Sequence, residues 1–167
     1  MLEPAAFRAR YTAAPNCAEE PFELYDESLL RTAGIDVQAI RLLAGAGLPR
    51  EVGLVGNFVA LDADGIETWR AAGLPTRYFP IGSNGGVSFF VIEPESGRVL
   101  ELSSNWQRAE LVNSSVAQFA ESLCLLAEYG EADQWAQFVE RISEIDAPAA
   151  NVDCRWRELA DDFLSLP

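Results

Sequence analysis

The sequence contains no lysine and no histidine, and all 12 of its basic residues are arginine. Without lysine there is no P-loop lysine, no Schiff base and no kinase-type lysine. Without histidine there is no Ser-His-Asp triad, no Cys-His pair and no histidine metal ligand. Positive charge is itself scarce: 12 arginines stand against 26 Asp and Glu, a formal net charge of −14. A chain with no basic stripe is poorly suited to gripping phosphate backbones, whose affinity comes mainly from Lys and Arg. Direct nucleic-acid binding is therefore not expected. Cysteine is also sparse. Cys17, Cys124 and Cys154 are odd in number and widely spaced, which gives neither a disulfide framework nor a zinc pattern. Cys124 lies among apolar residues and reads as a small core hydrophobe. No apolar run approaches the roughly 20 residues that span a bilayer. The opening MLEPAAFRARYT lacks a continuous apolar h-region, so no signal peptide is expected. These readings place the chain in the cytoplasm, with no membrane partner.

What is present is ordinary globular material. The 167 residues are 49% hydrophobic and 10% aromatic, which argues a folded chain despite its charge. The simplest organisation is one domain over residues 1–167, with 1–27 a weakly patterned N-terminal extension. A short helix is expected over Asp36–Leu43, with Asp36 as N-cap and Gly45, Gly47 and Pro49 as its stop. The middle reads as strands. Val52–Leu61 is apolar and interrupted by Gly53 and Gly56, then closed by an Asp62–Gly65 turn. Arg77–Ile81 precedes a glycine-rich turn over Gly82–Gly86. Val87–Ile92 is continuously apolar, as for a strand buried on both faces. The reverse turn Pro94–Gly97 and the alternating Val99–Leu102 complete a hairpin. From Val112 the period becomes helical. Val116, Phe119, Ala120, Leu123, Leu126 and Ala127 form one stripe, Ser115 and Gln118 fit a capping box, and Gly130 is placed to end the helix. A second helix carries Trp135, Phe138, Val139, Ile142 and Ile145 behind Asp133. A third carries Trp156, Leu159, Ala160, Phe163 and Leu164. Trp135 and Trp156 fall on the apolar stripes and read as core. Strands in the middle and helices at the end predict an α+β fold.

No constellation among these residues supports catalysis. Gly82–Gly86 has no lysine and leads into a strand, so it is not a phosphate cradle, which needs helix N-terminal amides. Asp62, Asp64 and Glu67 miss the EF-hand spacing, and no metal site is assigned. Glu93, Glu95 and Glu101 flank one hairpin, but nothing singles out a hydrolytic pair. Cys154 beside Arg155 and Arg157 has no histidine to act as its base. No catalytic residue and no cofactor is assigned, and the chain is not expected to be an enzyme. Binding is the remaining class. Asp62, Asp64, Glu67, Glu93 and Glu95 fall on predicted loops of the sheet region, where binding residues concentrate. Trp106, in the polar segment Ser103–Arg108, either covers the sheet or serves as a candidate anchor in a binding surface. The Glu19–Glu27 cluster is a second acidic candidate.

Several segments together resemble the fourth subfamily of the SUKH superfamily, the bacterial immunity proteins of polymorphic toxin systems. They are Gly47-Leu-Pro49 after the early helix, Phe79-Pro-Ile-Gly82 opening the hairpin, and the Glu93–Gly97 turn. They continue with Val112-Asn-Ser-Ser115 leading into a helix that holds Phe119, and with the late tryptophan helix Trp156–Leu166. The resemblance spans roughly residues 28–166. It implies a SUKH-like, mostly antiparallel central sheet with packed helices and a helical C-terminal part. It also implies a binding function: neutralisation of a cognate toxin domain, a nuclease or a nucleic-acid deaminase. The alternatives are a regulatory scaffold of the same fold or a small carboxylate-based enzyme. A net charge of −14 suits a partner whose groove is basic, because complementary charge speeds association.

Overall fold

The computed structural model describes residues 2–15, 17, 22–52, 58–73, 75–85, 87–103, 108–129, 134–151 and 154–164. The helices are α1 (Pro4–Thr12), α2 (Glu27–Thr32), α3 (Val37–Gly45), α4 (Ala63–Ala71), α5 (Val116–Glu128), α6 (Trp135–Ile145) and α7 (Arg155–Leu164). The strands are β1 (Phe22–Glu23), β2 (Leu48–Pro49), β3 (Glu51–Val52), β4 (Phe58–Ala60), β5 (Phe79–Asn84), β6 (Ser88–Glu93), β7 (Arg98–Ser103) and β8 (Ala109–Asn113). Strands β3 to β8 form one antiparallel sheet in sequence order, and β1 pairs with β2 in a small second sheet. The fold is α+β, as expected from the residues.

Alternation along β6 and β7 sorts side chains onto two faces. Phe90, Ile92, Val99 and Val112 join α1, α3, α5, α6 and α7 in the main core. Val91, Leu100 and Leu102 point the other way and meet Trp69 of α4 and Tyr78. This explains why Val87–Ile92 reads as an unbroken apolar run: both faces of β6 are covered. Phe119 of α5 is fully buried and lies 5.3 Å from Phe58, 5.9 Å from Phe90 and 6.3 Å from Trp156 between ring centroids. One aromatic cluster thus ties the sheet to the C-terminal helices.

Local sequence accounts for several boundaries. Asp36 caps α3 by accepting from the Gln38 and Ala39 amides, and Ser115 caps α5 through the Gln118 amide. Both match expectation; Gly130 and Asp133 lie outside the described residues. Three expectations need correction. Val52–Leu61 is not one strand: Glu51 pairs with Val59 and Val52 with Phe58, so the chain reverses between them. Asp62–Gly65 is not a turn but the start of α4, with the Asp62 carboxylate accepting from Gly65 N at 2.8 Å. The strand opening at Phe79 runs on through Gly82 to Asn84, because Gly82 pairs with both Ala60 and Phe90. A Cβ on Gly82 would sit 2.2 Å from the Phe58 ring; this glycine admits an aromatic side chain and does not serve a turn. Among the described residues of the segment, the positive φ is at Gly85.

The described part of the first 27 residues packs more closely than its pattern suggests. Helix α1 buries Phe7 and Tyr11 completely, at 0% and 1% exposure. Arg8 Nε donates to Ala46 O at 2.7 Å, and Arg10 forms a two-bonded pair with Glu128.

Candidate partner-binding surface

Strand register places Asp62, Asp64, Glu93 and Glu95 at one end of the six-stranded sheet. Strand β4 runs toward the start of β5, with Leu61 N donating to Ile81 O at 3.1 Å, and so delivers Asp62 there. Phe79, the first residue of β5, is opposite Ile92 near the end of β6, which places the β6–β7 turn at that same end. Asp62, Asp64 and Glu67 are all exposed; Asp62 is the N-cap of α4 and Asp64 lies in its first turn, where a carboxylate suits the helix dipole, so part of the role of these two is local.

The β6–β7 turn is held by Gly97 N donating to Glu93 O at 2.8 Å and by the Ser96 hydroxyl donating to Glu93 Oε2 at 2.6 Å. Gly97 adopts φ +73°, which glycine takes without strain. Glu95 is exposed and Glu93 half-buried. Against this turn lies the connector between α2 and α3. Pro94 Cβ is 3.8 Å from the Cβ position of Gly34, and Asp36 Oδ2 is 3.8 Å from that of Gly97. Asp36, read from sequence only as a helix cap, therefore joins the acidic end. No local pattern signals this, because the docking of the connector depends on the fold.

The second acidic candidate is committed locally. Glu23 pairs with Arg50 at 3.1 Å, Glu27 with Arg31 at 2.6 Å, and Asp26 caps α2 through Leu29 N. Glu19, Glu20 and Trp106 lie outside the described residues. The flanks of the Trp106 segment, Ser103 and Arg108, are at the opposite end of the β6–β7 hairpin from the acidic turn. The structure thus puts Asp62 and Asp64 at the same end of the sheet as Glu93 and Glu95, while Glu67 lies further along α4, which runs back to pack Trp69 on Phe89.

The Asn113–Ser115 segment is a structural centre. Asp146, 3% exposed, accepts from Ser114 N at 2.6 Å, Ser114 Oγ at 2.9 Å and Asn113 Nδ2 at 3.2 Å. Trp156 Nε1 donates to Asn113 Oδ1 at 3.0 Å and to Val112 O at 3.2 Å. Val112 is the extra residue of a bulge, since Val99 pairs with Asn113 and Leu100 with Leu111. Its carbonyl is therefore available to the indole. Phe79–Gly82 works the same way. The β5–β6 register shifts between Pro80 and Gly82, where a proline is tolerated in a sheet. Ile81 O accepts from both Leu61 N and the Tyr25 hydroxyl. Burial pushes the Tyr25 phenol well above its ordinary pKa, with Glu23 adding to the effect.

Among the described residues no helix is long and apolar enough to cross a membrane. No curated protein and no solved structure gives a significant match to the chain. The family profile described as SUKH-4 immunity protein matches residues 14–162, reaching further toward the N-terminus than residue 28 and taking in the Phe79–Gly82 bulge, the acidic turn, the Asn113–Asp146–Trp156 network and most of α7. With nearly the whole chain covered, this protein belongs to the SUKH-4 immunity protein family.

Proposed function

We propose that the chain neutralises a cognate toxin domain by binding it, and that the toxin is a nuclease or nucleic-acid deaminase with a basic substrate groove. The observation that carries this reading is the match to an immunity family over residues 14–162. The net charge of −14 supports the choice of a basic partner. Enzymes that act on polyanions attract them with positive potential, and an acidic inhibitor is drawn to the same field. Asp62, Asp64, Glu67, Glu93 and Glu95 contribute the charged end, with Trp106 as a separate anchor. The action is stoichiometric capture in the cytoplasm and needs no cofactor.

Co-expression of the chain with a toxin domain encoded beside it tests the reading. Rescue of growth together with a complex that co-elutes is the expected result. Neither rescue nor complex would remove the immunity function from this chain.

A further inference from the structure

At the end of the β6–β7 hairpin away from the acidic turn there is a cleft of about 290 Å³. That is far larger than the space of about 30 Å³ that one water occupies. Its lining includes Ser88, Glu101, Arg108, Glu110, Arg155 and Glu158. Ser88 and Glu101 pair with Ser103 and Phe90 on the core side of the hairpin, whereas Val91 and Leu100 face α4. Arg155, the first residue of α7, closes the cleft from the helical layer.

The Arg155–Glu101 pair is unusual. The two side chains are only 13% and 12% exposed, yet their nearest approach is 3.6 Å. A hydrogen bond between such groups spans about 2.7–2.9 Å. Among the described residues the Arg155 guanidinium makes no hydrogen bond, and Glu101 accepts one, from the Ser88 hydroxyl. A guanidinium carries five N–H donors and a carboxylate about four acceptor sites. Their remaining donors and acceptors have no partner within the described chain and face the cleft, where a ligand group can answer them. By contrast, Arg108 is closed directly on Glu110.

The charge of the cleft decides what would answer this pair. The two arginines are balanced by Glu101 and Glu110, and Glu158 is exposed to solvent. A cation entering between Arg155 and Glu101 would gain from one and be repelled by the other, and an anion likewise. An amide presents an acceptor and a donor without net charge. We propose that this cleft receives the side-chain amide of an Asn or Gln of a partner protein, its C=O accepting from Arg155 and its adjacent N–H donating to Glu101. The partner's identity rests on the toxin-binding reading; the chemistry of the cleft does not.

The partner-independent test is an NMR titration of the full ¹⁵N-labelled chain, following the Arg155 side-chain N–H signals. The probes are N-acetylglutamine methylamide, acetate and guanidinium. The amide probe should shift these signals saturably, and Glu101→Met should abolish the shift while the backbone spectrum stays folded. A larger response to acetate or guanidinium, or none to the amide, overturns the proposal. With a toxin domain that binds the wild-type chain, Arg155→Met and Glu101→Met should each weaken binding by about tenfold, chiefly through faster dissociation. Weakening by one and tightening by the other indicates a charged occupant. No change from either indicates a cleft filled by water. Both results overturn the amide assignment. If the wild-type chain binds no toxin, the toxin reading falls and the titration alone judges the cleft.

Discussion

Individual residues hold this fold together at points where a polar or glycine residue has no substitute. Gly82 lies under the Phe58 ring, and a Cβ there would overlap it at 2.2 Å. Gly82→Ala should destabilise by about 1–3 kcal/mol, the range of an overpacked core, and Phe58→Leu in the same chain should recover part of that loss. Urea melts of the single and double variants read it. Asp146 serves three donors at once, so Asp146→Ala should cost about 3 kcal/mol or more. The titration of buried groups gives a third expectation. Burial pushes the Cys124 thiol up to about 12 from an ordinary 9.0, and Tyr25 moves the same way. Both folded pKa values are raised, so the folded state keeps protons that the unfolded chain releases. The associated stability is complete below about pH 9 and is lost as pH rises toward about 12. Melting temperature should fall across that window, and Cys124→Ala should flatten the slope. The Ser115 cap, the Cys124 burial and the apolar stripe of α5 are visible in sequence because they obey local rules. Asn113 and Asp146, 33 residues apart, are joined by tertiary structure, and nothing local announces the pair.

The N-terminal helix is where element-level reading falls short. Helix α1 offers two large apolar residues four positions apart, Phe7 and Tyr11, among Ala and Arg, too little for a clear amphipathic stripe. Their partners are distant: Phe22 packs on both rings at 5.7 and 5.5 Å, and Glu128 closes on Arg10. Deleting residues 1–13 should lower stability by several kcal/mol, since each fully buried aromatic contributes about 1.5–3 kcal/mol. An unchanged urea midpoint would show α1 to be a dispensable extension. Helix α4 was hidden for a different reason. Asp62–Gly65 carries turn residues, and the same side-chain chemistry that makes an Asp turn also caps a helix. Only Ile66 and Trp69, three apart and both buried, distinguish the two. Asp62→Ala should cost about 1 kcal/mol through the lost cap, which makes Asp62 a poor probe of partner binding.

For the whole molecule the dominant property is charge. Asp64 and Glu67 are exposed and cap nothing, so Asp64→Lys with Glu67→Lys reverses their charge at a helix-dipole cost of only about 0.3–1 kcal/mol, from Asp64. This double reversal should slow association with a toxin domain and flatten its salt dependence, leaving dissociation nearly unchanged. Stopped-flow mixing at two ionic strengths reads both; unaltered association would remove this end from the interface. The excess of acid over arginine is plain in composition, and so is the α+β class, since strand periods cluster in the middle of the chain and helix periods dominate its end. Which acids converge is not plain, because it follows from strand register and from where the α2–α3 connector docks. One such register has a consequence in time. Strand β8 is the last of its sheet, and its Val112 carbonyl and Asn113 side chain are satisfied by Trp156 and Asp146. During synthesis on the ribosome the sheet can assemble before these two residues emerge. For that interval the nascent chain carries an open edge with a bare Val112 carbonyl and an Asn113 side chain answered only by Ser122, a surface that chaperones and neighbouring nascent chains can engage until the tryptophan arrives to seal it.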